Sequence, residues 1–322
     1  MNRRRDRKGG KDRKAIFFAL FAAFAAFASF AAFASFAALA SSGLTEPARV
    51  AAVYDAILGA RFEEAGLRLK TTCPPAPQPV CDALAAAALW WRILIDPSSR
   101  AFDEALKRAS SESIAAAQQW TVREPMRGEA WFYFAAARAP RVNLLVLRGE
   151  RLAAAREGKQ IKDALERALA LDPALDDAYF GIGLYHYYAD VAPMYAKLLR
   201  WLLALPGGDR VRGLDEMTRA RDRGAIMRGE ADFQLQQIYL WYEARPRDAL
   251  ALLESLDARY PTNPLFLERI ADVLDVYLHD RDASAMAWSR LRDRAREGRV
   301  FDAARVAQRA DARARIMRGR FF

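Results

Sequence analysis

Four prolines constrain this chain more than any other feature. Pro97, Pro125, Pro173 and Pro261 each close an alanine-, leucine- and arginine-rich block, in the contexts Asp96-Pro97, Glu124-Pro125, Asp172-Pro173 and Tyr260-Pro261. Proline lacks an amide hydrogen and clashes with the turn before it, so a helix arriving at any of these points has to stop. Within the blocks, apolar residues recur at three- and four-residue steps, and no stretch alternates as a strand would. The reading is all-α, in antiparallel helix pairs joined by short turns. Helices are expected over 82–95, 100–123, from about 127, and over 160–171, 176–190, 230–243, 247–259, 264–279 and 282–297.

Three of the proline-led segments share a pattern. Six residues beyond the proline stands a bulky residue (Trp131, Tyr179, Leu267), three further on an apolar one (Phe134, Ile182, Ile270), and next to that a small one (Ala135, Gly183, Ala271). The small residue lets a second helix come close, and the large ones fill the groove beside it. This pattern resembles the tetratricopeptide repeat, a unit of about 34 residues with a large–large–small first helix and a proline after the second. The match is best over 160–188 and 230–297. The spacing departs from the family pattern, since Pro125 and Pro173 are 48 residues apart and Pro173 and Pro261 are 88 apart. One long helix and an inserted helical segment, 195–223, are expected to interrupt the array. The chain also resembles exported bacterial helical-repeat proteins.

The resemblance implies a right-handed superhelix of helix pairs, a TPR-like α-solenoid, over residues 82–297. It also implies binding through the inner faces of the first helices. Carried onto this chain, those faces hold Phe132, Phe180, Leu184, Tyr187, Gln234, Trp241, Glu268, Asp272 and Asp275, a groove aromatic at one end and acidic at the other. Such a groove suits an extended basic or aromatic peptide.

Before the body comes a different kind of helix. In FAAFAAFASFAAFASFAALASS (21–42) a phenylalanine recurs at every third position from Phe21 to Phe36. Successive phenylalanines step about 60° around a helix, so the six sweep its whole circumference rather than one stripe. Residues 15–40 carry no charge, which is more than the roughly 20 residues a bilayer span needs. Residues 1–14 hold eight bases and two acids, an n-region expected to stay in the cytoplasm. Ala38 and Ala40 fit a small-residue cleavage site, whereas the length of the run fits an uncleaved inner-membrane anchor; both readings export the body.

Charge and cysteines follow from that placement. Of the +10 net charge, residues 1–14 hold +6 and 289–322 hold +7, leaving −3 for everything between. The basic total therefore does not signal nucleic acid. The arginine-rich stretch 298–322 reads as a capping helix, with acidic headgroups or an acidic protein as the sharper alternative. Cys73 and Cys81 flank the proline-rich CPPAPQPVC, after an N-terminal helical pair expected within 41–81. In an exported chain so close a pair is expected to form a disulfide worth about 2 kcal/mol.

Signs of catalysis are thin. His186 and Asp190, four residues apart amid Tyr185, Tyr187 and Tyr188, could meet on one helical face as a base and its orienting acid. No nucleophile accompanies them. His279 sits at a helix end without further metal ligands, and LPGGDR (205–210) has glycines but no phosphate-binding lysine and serine. The sequence reading is a non-enzymatic, cofactor- and metal-free scaffold in the cell envelope, recruiting another protein or an extended peptide. The alternative is an enzyme or small-molecule binder with a pocket around His186, Asp190 and the neighbouring tyrosines. An open groove without a closed cavity favours the first, a deep pocket converging on His186 the second.

Overall fold

The computed structural model of this chain describes residues 43–191 and 207–319, with side chains as far as residue 315. The apolar run 15–40, its basic flank and residues 195–206 of the expected insert lie outside the described residues. Among the described residues no helix is long and apolar enough to cross a membrane. These residues form thirteen α-helices and one π-helical turn, with no strand. Helices α1 (Pro47–Leu58) and α2 (Phe62–Thr72) lead through a Cys73–Cys81 disulfide into α3 (Gln78–Ile95). Then come α4 (Asp103–Arg123), α5 (Gly128–Leu147), α6 (Arg151–Leu171) and α7 (Ala178–Val191). From residue 210 onward follow α8 (Arg210–Arg223), α9 (Arg228–Trp241), α10 (Pro246–Arg259) and α11 (Pro264–Asp272). The π turn Val273–Tyr277, α12 (Arg281–Arg296) and α13 (Ala303–Gly319) complete them.

The prolines act as their chemistry dictates. Helices α3, α4, α6 and α10 end at Ile95, Arg123, Leu171 and Arg259, each two residues short of a proline. Pro79, Pro246 and Pro264 stand instead in the first turn of a helix, where a missing N–H costs nothing. Pro140 lies inside α5 and leaves the Ala136 carbonyl without its usual intrahelical donor.

Every helix packs on the next in sequence, from α1 on α2 to α12 on α13, an arrangement consistent with an α-solenoid. The shared pattern after the prolines has a local cause. Trp131 Nε1 donates to the Pro125 carbonyl at 3.0 Å, and Tyr179 Oη donates to the Pro173 carbonyl at 3.3 Å. In both, the bulky side chain ties its helix to the turn that starts it. Leu267, with no polar atom, is simply buried. Ala135, Gly183 and Ala271 are all buried, as are Ile182 and Ile270, while Phe134 is half-buried against Trp131.

Gly183 marks a close backbone crossing. A Cβ there would stand 2.8 Å from the Gly213 carbonyl oxygen, and one on Gly213 would stand 2.7 Å from the Gly183 oxygen. The backbones of α7 and α8 touch at these two glycines. Residues 210–223, the described end of the expected insert, are therefore the partner helix of α7. Gly208 permits the approach: a Cβ there would lie 2.4 Å from the His186 carbonyl oxygen. Asp209 then caps α8 by accepting from the Arg212 N–H. The LPGGDR turn starts a helix.

In a linear array each pair would touch only its neighbours. Here the first helices also lie against the later ones. Tyr260 Oη donates to Asp55 at 2.6 Å, Asn263 Nδ2 donates to the Leu58 carbonyl at 2.7 Å, and Trp91 packs between Phe233 and Phe266. Phe62 meets Phe301 edge-on at 4.9 Å. The arginine-rich α13 docks through buried Val306 and Ala310, and Arg309 binds Glu268 at 2.8 Å. Because α1 and α3 reach α9 and α11, the helices enclose an interior.

Candidate functional site

That interior holds a pocket of about 390 Å³ between α1, α3, α5, α6, α7 and the start of α9. Small residues make the room. Ala83 and Ala87 on α3, Ala136 and Ala139 on α5 and Gly158 on α6 face it with little or no side chain, while Gly181 on α7 lies against Leu165, whose Cδ1 would stand 2.6 Å from a Cβ there. A Cβ placed on Gly158 would meet nothing within 4 Å. The deep wall is fully or nearly buried: Tyr54 from α1, Trp91 from α3, Phe132 from α5 and Leu165 from α6. Half-buried Trp90, Asn143, Ile161, Tyr185 and Tyr188 form the shallower side. The volume falls within the 300–1,000 Å³ or so typical of small-molecule sites, and the walls are as apolar as such sites require.

Two carboxylates interrupt the apolar surface, and no lysine, arginine or histidine lines it. Asp177, at the start of α7, accepts the backbone N–H groups of Ala225, Ile226 and Met227 at 2.8–2.9 Å. Those bonds join α7 to the turn entering α9. Burial holds its pKa above the usual aspartate value, with the three N–H groups pulling the other way. Glu230, in the first turn of α9, accepts one hydrogen bond from Tyr54 Oη at 2.7 Å. Burial raises its pKa as well, opposed by the Tyr54 hydroxyl, the Gln234 amide and the Trp91 indole. The Tyr54 hydroxyl is raised well above the ordinary tyrosine value, first by burial and then by the Glu230 charge.

Of the residues placed on the inner face by sequence, Phe132, Phe180, Leu184 and Gln234 line this pocket. The others are elsewhere. Tyr187 is buried and donates to Glu243, which also binds Arg210; Trp241 is half exposed on the surface. At the acidic end Glu268 is paired with Arg309, and Asp272 feels the charges of Arg313 and Arg269. Asp275 lies on the π turn. Glu268 and Asp272 are thus met by the chain's own arginines. Trp131 and Phe134 line a second recess outside the α5–α6 pair, beside Arg156 and Lys159.

His186 does not join Asp190. Its Nδ1 lies 2.6 Å from Glu216 Oε2 on α8, while Asp190 accepts the Arg210 N–H. Arg212 binds the other Glu216 oxygen at 2.8 Å, so the histidine belongs to an ion-pair cluster between α7 and α8. Tyr185 and Tyr188, its neighbours, are the ones that face the pocket. His279 adopts a left-handed backbone (φ 57°) that ends the π turn, and Asp280 caps α12 by accepting the Ala283 N–H. Among the described residues no group of three or more His, Cys, Asp or Glu could hold a metal ion. The Cys73–Cys81 disulfide is compatible with an oxidising, exported location.

Sequence reasoning passed over Tyr54 and Glu230. An acid in the first turn of a helix normally serves the helix dipole in solvent, so Glu230 carried no local sign of burial. Tyr54 comes from a segment 176 residues away. No protein-family model matches the chain, and no curated protein matches it.

Proposed function

We propose that this is an exported binding protein of tetratricopeptide-like, right-handed helical-repeat build that takes a small, mainly apolar molecule into the pocket between α1, α3, α5, α6, α7 and α9. The single observation that carries this reading is the pocket itself: about 390 Å³ of mainly apolar space lined by alanines, glycines and aromatic side chains. A concave, mainly apolar recess of this volume with a few convergent polar groups has the make-up of a small-molecule site. The apolar leader and the disulfide support export. The scaffold reading rests on the inner-face residues acting together; Phe132, Phe180, Leu184 and Gln234 line the pocket, whereas Tyr187 is buried beside Glu243, Trp241 is half exposed and Glu268 is met by Arg309.

The test uses phenylbutanol, which is apolar, of suitable size and water-soluble, titrated calorimetrically into the full chain in detergent. Saturable one-to-one binding is expected. Gly158→Phe puts a ring into the open space beside Gly158 without backbone strain, and removes a helix-interior glycine that costs about 1 kcal/mol. It should abolish binding while leaving the melting temperature unchanged or higher. Heat from the Gly158→Phe chain in the same detergent also measures uptake by the micelle. Equal heats from the two chains would overturn the proposal.

A further inference from the structure

Seven acids are buried among the described residues; five of them are ion-paired by the chain itself and a sixth, Asp177, is held by backbone donors. Asp103 is held by Arg148, Glu129 by Arg127, Asp232 by Arg259 and Asp257 by Arg294. Glu216 is held by Arg212 and His186, and Asp177 accepts three backbone N–H groups. Glu230 is the exception. It forms no ion pair among the described residues, its donors (the Tyr54 hydroxyl at 2.7 Å, with the Gln234 amide and Trp91 indole beside it) are all uncharged, and it is 7% exposed while lining the pocket. Burying a carboxylate without a counter-charge is costly, which is why buried acids are normally paired.

The surroundings of Glu230 match one kind of partner. Trp90, Trp91, Phe132, Phe180, Tyr185 and Tyr188 give the pocket aromatic walls, whose ring faces attract cations. No base lines it, so nothing there would welcome an anion. The cation beside its shallower side, Lys162, sits over the Tyr185 ring and is paired with Glu166 at 2.7 Å. We infer that the ligand is an organic cation, an amine or quaternary ammonium carried on an apolar body, and that its charge supplies the counter-ion Glu230 lacks. This inference rests on the pocket being a ligand site. The cation would sit against the carboxylate and the aromatic faces, with the apolar body extending along the alanine and glycine wall.

The experiment compares three isosteric probes, phenylbutylamine, phenylbutanol and phenylbutyrate, by calorimetry with the full chain and with Gly158→Phe as the blank. The amine should bind at least about tenfold more tightly than the alcohol, and the carboxylate least. Glu230→Gln keeps an oxygen for the Tyr54 hydroxyl, and should cancel the preference for the amine while leaving alcohol binding in place. Alcohol or carboxylate binding as tight as the amine in the unaltered chain would overturn the cation assignment and leave the pocket reading standing. So would an amine preference that survives Glu230→Gln. Failure of all three probes would overturn the pocket reading, and the cation assignment with it. The comparison within the unaltered chain decides the matter even if Glu230→Gln folds poorly.

Discussion

The junction between α7 and α9 and the pocket floor beneath α1 each bury a carboxylate, and they hold it differently. At the junction Asp177 is 2% exposed and takes three backbone N–H groups from residues 225–227, so its charge fastens two helical segments together. At the floor Glu230 meets only uncharged side-chain donors, the Tyr54 hydroxyl first among them, and no backbone N–H among the described residues closes on it as at Asp177. The first arrangement satisfies donors that a turn entering a helix would otherwise leave orphaned. The second leaves an acid available to something else. Identical chemistry thus serves structure at one site and availability at the other, and what separates them is how many donors the neighbouring backbone presents.

The contrast breaks most readily at Asp177. Asp177→Ala would strand three N–H groups around the turn into α9, each worth on the order of 1 kcal/mol or more, so a loss of about 3 kcal/mol is expected in denaturant unfolding. An unchanged midpoint would mean that those bonds do not hold the junction. A smaller effect is expected where the chain neutralises its own acid near the surface. Arg309→Ala removes the partner of half-buried Glu268 and should cost about 1 kcal/mol at neutral pH. Burial already raises the Glu268 pKa and Arg309 opposes that, so the loss should shrink in acid, where Glu268 is protonated in either chain. A loss equal at both pH values would mean that Arg309 contributes packing and not charge.

The smallest change, and of opposite sign, belongs to Glu230→Gln. The Glu230 pKa is higher folded than unfolded, so the folded chain holds that proton more tightly. Its contribution to stability is then fully present below the ordinary glutamate range and is lost as pH rises through the raised folded value. Replacing it by an uncharged isostere should therefore raise the melting temperature at neutral pH, with the two chains converging in acid. A lower melting temperature at neutral pH would show that Glu230 is held as firmly as Asp177, and the contrast between the two sites would disappear.

Much of the architecture was legible in order along the chain. Helix ends at Ile95, Arg123, Leu171 and Arg259 follow from prolines two residues on, and the large–large–small spacing located Trp131, Tyr179, Gly183 and Ala271. The disulfide followed from two close cysteines beside a leader. These are local matters, settled within one or two turns of backbone. The expected inner face was legible only in part. Phe132, Phe180, Leu184 and Gln234 reach the pocket, but the acids at 268 and 272 are met by arginines from α13, some forty residues further along. Likewise His186 turned to Glu216, thirty residues away, instead of to its helical neighbour Asp190.

What the sequence by itself determined is an all-helical chain, where its helices stop, and which small residues permit close crossings. Proline, glycine and apolar periodicity act through the backbone they belong to. Only the tertiary structure decided that α1 and α3 fold back onto α9 and α11, because those contacts join side chains such as Tyr54 and Glu230 across 176 residues with no local pattern to announce them. That closure converts a row of helix pairs into walls around a space. It also takes the Glu230 carboxylate out of water, where its charge has a cost that a solvent-facing first-turn acid never bears.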